Sequence, residues 1–212
     1  MQEIIKVLFS GFGENLRIFV LTLAMAIPLG LIITFGSMTK FKPVRWLTRT
    51  FVWIIRGTPL MLQLFVVLYA PGLLFGVPMR DRLVATLVAF VINYAAYFSE
   101  IYRGGIESIP RGQYEAGAVL GMTRRQVFFK VVLLQVIKRI VPSMGNEVIT
   151  LVKDTALAST IAVTELMSLA KKHVSSSSSI EPYIIAMIMY LLFNGITEKV
   201  CRLVERKLNY YQ

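Results

Sequence analysis

PRGQYEAGAVLGMTRRQV, residues 110–127, is a small, polar stretch set between long apolar segments. A lipid phase offers such residues nothing, so the stretch belongs outside the bilayer. Pro110 suits the first turn of a helix, where its missing N–H costs nothing. Gln113 to Leu120 continues that helix, and Gly121 accepts the left-handed conformation that commonly ends one. Thr123 and Gln126 have the spacing of a capping box that opens the next helix. The stretch therefore predicts a short helix over 110–121 and a sharp corner. A helix this short is marginal alone in water. It must pack, either on its own bundle or on a partner. Ala116, Gly117 and Ala118 would let a partner approach closely, with Arg111, Glu115 and Arg124 placing charges at the edges.

The flanking chain sets the class. Of its 212 residues 56% are hydrophobic, and the mean hydropathy is +0.65, against about 45–50% apolar in an ordinary soluble domain. Charge-free runs cover Ile18–Gly36 (19 residues), Gly57–Met79 (23), Leu83–Ser99 (17) and Pro182–Thr197 (16). A membrane-spanning helix needs roughly 20 apolar residues, with about 17–25 usual. Three runs meet that length and the fourth falls just short. These features indicate an all-α integral membrane protein of one helical domain. The net charge of +11 lies mainly in the loops between apolar runs, which points to membrane orientation rather than nucleic acid. The N-terminus lacks a basic leader and no A-x-A site follows, so no cleaved signal is expected. Cys201 and His173 are the single cysteine and histidine, which excludes an intrachain disulfide and argues against a His/Cys metal site.

The cations alternate along the chain. Residues 1–17, 76–82 and 165–181 carry two each, whereas 37–56, 100–130 and 198–212 carry five, five and four. The positive-inside rule then places the N-terminus outside and the C-terminus in the cytoplasm. The chain must cross between 100–130 and 165–181, although Lys138, Arg139, Glu147, Lys153 and Asp154 interrupt that region. This gives five spans near 14–37, 54–77, 82–102, 126–156 and 182–204. The fourth is polar, and Pro142 and Gly145 are expected to loosen it. Its charges would face the bundle interior or a watery cavity, or Lys138 and Arg139 would sit at headgroup level below a shorter crossing. Residues 2–9 read as a separate outer amphipathic helix. Ser175 to Ser179 reads as a flexible outer loop.

Several motifs carry a resemblance. Glu115-Ala116-Gly117, three residues and then Gly121 resemble the EAA signature of ABC importer permeases. Val131 to Leu134 stand where that signature continues with Ile-x-Leu-Pro. Gly117 replaces an alanine, Val131 an isoleucine and Leu134 a proline, which would leave the start of the fourth span straighter. Arg56-Gly57-Thr58-Pro59-Leu60 with Gln63 is similar to the polar amino-acid subfamily. So are Tyr97 to Glu100 with Arg103-Gly104-Gly105-Ile106, Gly145-Asn146-Glu147 and Lys153-Asp154-Thr155-Ala156-Leu157. The likeness runs from Gly11 to Arg206.

The resemblance implies the type I importer permease fold and a bacterial inner-membrane location. It implies a second permease subunit, as homodimer or heterodimer, two cytoplasmic ATPases, an outer substrate-binding protein and an amino acid as cargo. ATP and magnesium would sit on the ATPases and no cofactor on this chain, which lacks a G-x-x-x-x-G-K-[ST] phosphate loop. The 110–121 segment would be the coupling helix, with Arg111, Glu115, Ala116, Gly117, Gly121 and Arg124 meeting the ATPase. Polar groups within the spans are candidates for the substrate path. Asn93 and Tyr97 share a face of the third span, as do Glu147 and Asp154 on the fourth. Thr155, Gln63 and Met61 complete the set. The competing assignment pairs Asp154 with Lys153 or Arg139, or makes it a cap, and pairs Glu100 with Arg103. The alternative class is an ion- or proton-coupled carrier, or a channel, which would need no ATPase.

Overall fold

A computed structural model describes residues 2–208, which are helical apart from short connections. The elements are α1 (Gln2–Met38), α2 (Lys42–Arg56), α3 (Leu60–Phe75), α4 (Arg82–Glu107), α5 (Arg111–Val119) and α6 (Arg124–Val127). A π-helical turn (Phe128–Val132) leads into α7 (Leu133–Asp154), and a 3-10 segment (Thr155–Ile161) leads out of it. Then come α8 (Leu166–Ser177) and α9 (Glu181–Leu208). Helix dominates because lipid offers backbone N–H and C=O groups no partner, and a helix satisfies its own.

Among the described residues, three helices are long and apolar enough to cross a membrane: Glu3–Met38, α4 and α9. Helices α2 and α3 would make a fourth if counted together, but their axes turn through 109° at Gly57–Pro59. Helix α7 carries five charged residues and does not meet that standard of hydropathy.

Helix α4 is the axis of the bundle and packs on α1, α2, α3 and α7. The main core joins Ile18 and Ala26 of α1, Leu64 and Leu68 of α3, and Ala85, Ala89, Phe90, Tyr94, Ala95 and Phe98 of α4 to Leu151 of α7. Lipid tails are as apolar as leucine, so helix association in a membrane relies on close packing by small residues. The α1–α4 contact follows that rule. A Cβ on Gly30 would stand 2.9 Å from Phe98 Cβ and 3.0 Å from the Ala95 carbonyl oxygen. One turn on, the Thr34 hydroxyl donates to the Gly30 and Ser99 carbonyls at 2.8 and 3.1 Å.

The structure departs from the sequence reading in four places. Residues 2–9 continue directly into α1 instead of forming a separate helix. The 37–56 segment, read as a loop, contains α2, with Pro43 in its first turn. Helix α7 runs unbroken through Pro142; membrane helices tolerate proline when neighbours or local adjustment absorb the freed carbonyl. The winding changes instead at 128–132 and 155–161. The serine run is helical through Ser177, and only Ser178, with φ of 52°, ends α8.

Gly30→Leu should wedge α1 from α4 at a cost of about 1–3 kcal/mol or more. The Tm of the detergent-purified chain should fall by several degrees, while Gly104→Ala, which meets open space, should leave it unchanged or raise it slightly.

Candidate functional site

The α4–α5–α6–α7 turn is built as one unit. Pro110 stands at the N-cap of α5. Gly121 has φ of 72°, Met122 N donates to the Gly117 carbonyl at 3.0 Å and Gly121 N to the Ala118 carbonyl at 3.0 Å. That is a Schellman ending, and the left-handed residue in it is the glycine that tolerates it. Thr123 and Gln126 form the reciprocal capping box of α6: Thr123 N donates to Gln126 Oε1 at 2.8 Å, and Gln126 N to Thr123 Oγ1 at 3.3 Å.

Three contacts fasten α5 and the turns on either side of it to the spans. Gln135 Nε2 donates to Gln113 Oε1 at 3.0 Å. The Arg139 guanidinium donates to the Ser108 carbonyl, just before α5. Ile109, Val127, Val132 and Val136 form a separate apolar cluster beneath the turn. Gly117, assigned above to an outer contact, faces inward: it is buried, and a Cβ there would collide with the Val127 side chain. Arg111, Glu115, Ala116, Gly121 and Arg124 are exposed. Val119, the last residue of α5, and Leu120, its C-cap, are 88% and 77% exposed and join the exposed Tyr114 earlier on that helix. The sequence reading overlooked these apolar groups because it took them as continuation of the helix. Their place beside the terminating glycine is the signal that they stand at its free end.

The candidate path residues divide into two groups. Asn93 Nδ2 donates to Gln63 Oε1 at 3.0 Å. Gln63 Nε2 in turn donates to the Ile55 carbonyl at 2.8 Å and to Thr58 Oγ1 at 2.9 Å, bracing the α2–α3 corner. Tyr94 donates its hydroxyl proton to Asp154 Oδ2 at 2.7 Å, linking α4 to the end of α7. That contact, not Lys153 or Arg139, is the hydrogen bond Asp154 makes. Glu147 lies two turns earlier on α7, half-buried. Tyr97 lies under the Arg56 guanidinium, 5.2 Å from its ring centroid. Glu100 pairs with Arg103 at 2.6 Å and with Arg56 at 3.5 Å. Met61 is exposed on the first turn of α3.

Thr155 belongs to the second group. It is fully buried, and its Oγ1 accepts from Asn15 Nδ2 at 3.0 Å. The same amide reaches Glu165 Oε2 at 2.9 Å and Tyr190 OH at 2.8 Å, while Asn15 Oδ1 accepts from Leu166 N at 3.0 Å. The Tyr190 hydroxyl also donates to Glu165 Oε2 at 3.0 Å. Glu165 is completely buried and caps α8 through Met167 N and Ser168 N at 2.9 and 2.7 Å. This knot joins α1, α8 and α9. The sequence reading missed it because Asn15 and Glu165 stand 150 positions apart; the cap alone had a local signature, an acid three residues before Ser168.

The sequence profile of the family described as "Binding-protein-dependent transport system inner membrane component" matches residues 26–210. The chain belongs to that family. It is 35% identical to the L-cystine transport system permease protein TcyB of Bacillus subtilis (strain 168), over 99% of this chain and 90% of that one. It is 34% identical to the arginine transport system permease protein ArtQ of the same organism, over 96% and 93%. The octopine transport system permease protein OccM of Rhizobium radiobacter is 34% identical, over 93% and 84%. Among solved structures, an amino acid ABC transporter crystallised with histidines superposes with a TM-score of 0.87 at 33% identity, covering 95% of this chain and 94% of that one. The MetNI methionine ABC transporter shares the fold, with a TM-score of 0.78 at 16% identity over 99% of both chains. The chain is thus a membrane-embedded transport permease with the type I importer fold.

Asn15→Ala should strip a donor from Glu165 and an acceptor from Leu166 N. Hydrogen bonds to a charged group contribute about 1.5–3 kcal/mol, so the Tm of the purified chain should fall clearly, and further than for Tyr190→Phe, which leaves the Asn15 contacts to Glu165 in place.

Proposed function

We propose that this chain is the permease subunit of an ATP-driven importer of an amino acid or an amino-acid derivative. It spans the bacterial inner membrane five times through α1, α3, α4, α7 and α9. The N-terminus lies outside and the C-terminus in the cytoplasm. Two permease subunits, two cytoplasmic ATPases that hold ATP and magnesium, and an outer binding protein complete the assembly.

The observation that carries the reading is the α5 unit. It is a short helix with fixed ends, tied to α7 through Gln113 and packed on α6 and the π-helical turn, and it presents Arg111, Tyr114, Glu115 and Val119 outward with Leu120 at its C-cap. Such a helix acts as a rigid lever: a partner that moves it moves both attached helices. Relatives named for cystine, arginine and octopine transport support the cargo class. For the path, Glu147 and Asp154 supply acceptors suited to an ammonium group, and Asn93 and Tyr97 supply polar contacts on the facing helix. Gln63 and Met61 lie at the inner end. Thr155 is withdrawn into the Asn15–Glu165 knot and acts there by holding the end of α7.

Vesicles containing the co-purified complex should take up the amino acid only with ATP on the ATPase side, and an uncoupler at fixed ATP should leave uptake intact. Loss of uptake with the uncoupler would support an ion-coupled carrier instead. The double variant Val119→Asp/Leu120→Asp should keep its Tm, since both side chains are exposed. It should lose its co-purifying ATPase, with uptake falling at least tenfold. Normal uptake in that variant would overturn the docking assignment.

A further inference from the structure

Helix α2 has sides that no part of the bundle covers. At 100° per residue, Lys42, Arg45, Arg49 and Arg56 fall in one sector of about 60°, and Leu47, Phe51 and Ile54 fall in a second sector of about 60° opposite it. The packed side lies between them: Val52 is buried, and Thr48 rests on Gly36 of α1. Trp46 and Trp53, two turns apart, point away from that side along the border between the charged and apolar sectors. They are 70% and 75% exposed. Leu47 and Ile54 are exposed as well. A helix of this kind has an aqueous side, a hydrocarbon side and an indole border, as an interfacial helix requires.

Its position agrees. Helix α2 joins the end of α1 to the start of α3, and the 109° turn into α3 lays it across the direction in which α3 runs. No aspartate or glutamate occurs between Glu14 and Asp81. Among the described residues, Lys42, Arg45 and Arg49 form no ion pair. Arg49 spends only its Nε, on the Ser37 carbonyl at 3.2 Å. Arg49, Arg56 and Arg103 line an open cleft of about 250 Å³ with Val52, Trp53 and Glu100. Glu100 pairs with Arg56 and Arg103, and Glu107 with Arg103, which among the described residues leaves Arg49 as the cleft's unpaired cation beside Lys42 and Arg45. The local charge calls for an anion. A second copy of this acid-free helix would repel it, and the apolar sector calls for hydrocarbon beside that anion.

We propose that α2 is a recognition surface for anionic phospholipid in the cytoplasmic leaflet. Its guanidinium and ammonium groups hold headgroup phosphates, its apolar sector rests on the acyl chains, and its tryptophans sit at the level between. The side of the membrane rests on the topology proposed above; the lipid chemistry does not.

Trp46 and Trp53 are the only two tryptophans of the chain, so emission excited selectively in tryptophan, in the purified full-length permease, reports on α2 alone. In nanodiscs, adding phosphatidylglycerol to phosphatidylcholine should shift emission to the blue and reduce quenching by iodide. Lipids brominated near the headgroup end of the acyl chain should quench more than lipids brominated near the tail. Lys42→Gln/Arg45→Gln/Arg49→Gln should abolish the preference, with co-purifying phosphatidylglycerol falling by up to about fivefold per charge removed. Lys42→Glu, a single exposed change, should lower it without disturbing the packed side. Emission indifferent to lipid charge, or quenching strongest at the tail, would overturn the proposal. So would protection from both iodide and brominated lipid in the complex with the ATPase, which would mean that a protein covers α2. Topology is read separately. Lys40→Cys in a Cys201→Ser chain should resist an impermeant maleimide added to intact cells; labelling there would overturn the sidedness and leave the nanodisc result to stand or fall by itself.

Discussion

The close approach of α1 and α4 is the constraint on which the rest of the bundle depends. In lipid the hydrophobic effect gives two helices little reason to associate, so the gain must come from dense contact. Gly30 supplies it by bringing α1 against the Ala95 carbonyl and the base of Phe98. The Thr34 hydroxyl and the Tyr102 hydroxyl, donating to the Ile27 carbonyl at 3.3 Å, fix the two helices in register. Once that pair is set, α3 and α7 can close over Phe90, Tyr94 and Phe98, and the Asn15 side chain stands where Thr155, Glu165 and Tyr190 can reach it.

Much of this was legible in the sequence because the signals were local. Pro110, Gly121 and the Thr123–Gln126 pair bound the α5 unit in the sequence; the structure keeps the last two in those roles and moves Pro110 one position out, to the N-cap. The pairing of Glu100 with Arg103, the competing assignment, is observed, with Arg56 of α2 as a second partner. Helix α2 also had a local signal. Its four cations recur on one face, but a charge count by segment averages that periodicity away, and the segment passed for a loop.

The remainder was not legible for physical reasons. Nothing near Asn15 announces Glu165, because their contact exists only after α1 and α8 have packed. Proline and glycine within α7 read as a break when taken alone. The break falls instead at Thr155, where the chain tightens to a 3-10 winding and then turns through Ala162 with a positive φ of 58°. Gly117 looked like a docking residue from its small size, yet smallness here serves the inner contact with Val127. Size alone does not say which side of a helix a glycine faces.

The continuity of α4 from the core into the turn before α5 has a mechanical consequence. Asn93 and Glu107 are fourteen residues apart on one unbroken helix, a stiff rod of about 21 Å at 1.5 Å per residue. Tilting that rod by 5° displaces its Glu107 end by roughly 2 Å relative to Asn93, several times the ~0.5 Å range over which an N–H···O hydrogen bond holds. A displacement of that order remakes contacts at that end, such as that of the Ser108 carbonyl with Arg139. A helix buried on several sides has little freedom to bend and absorb the stroke.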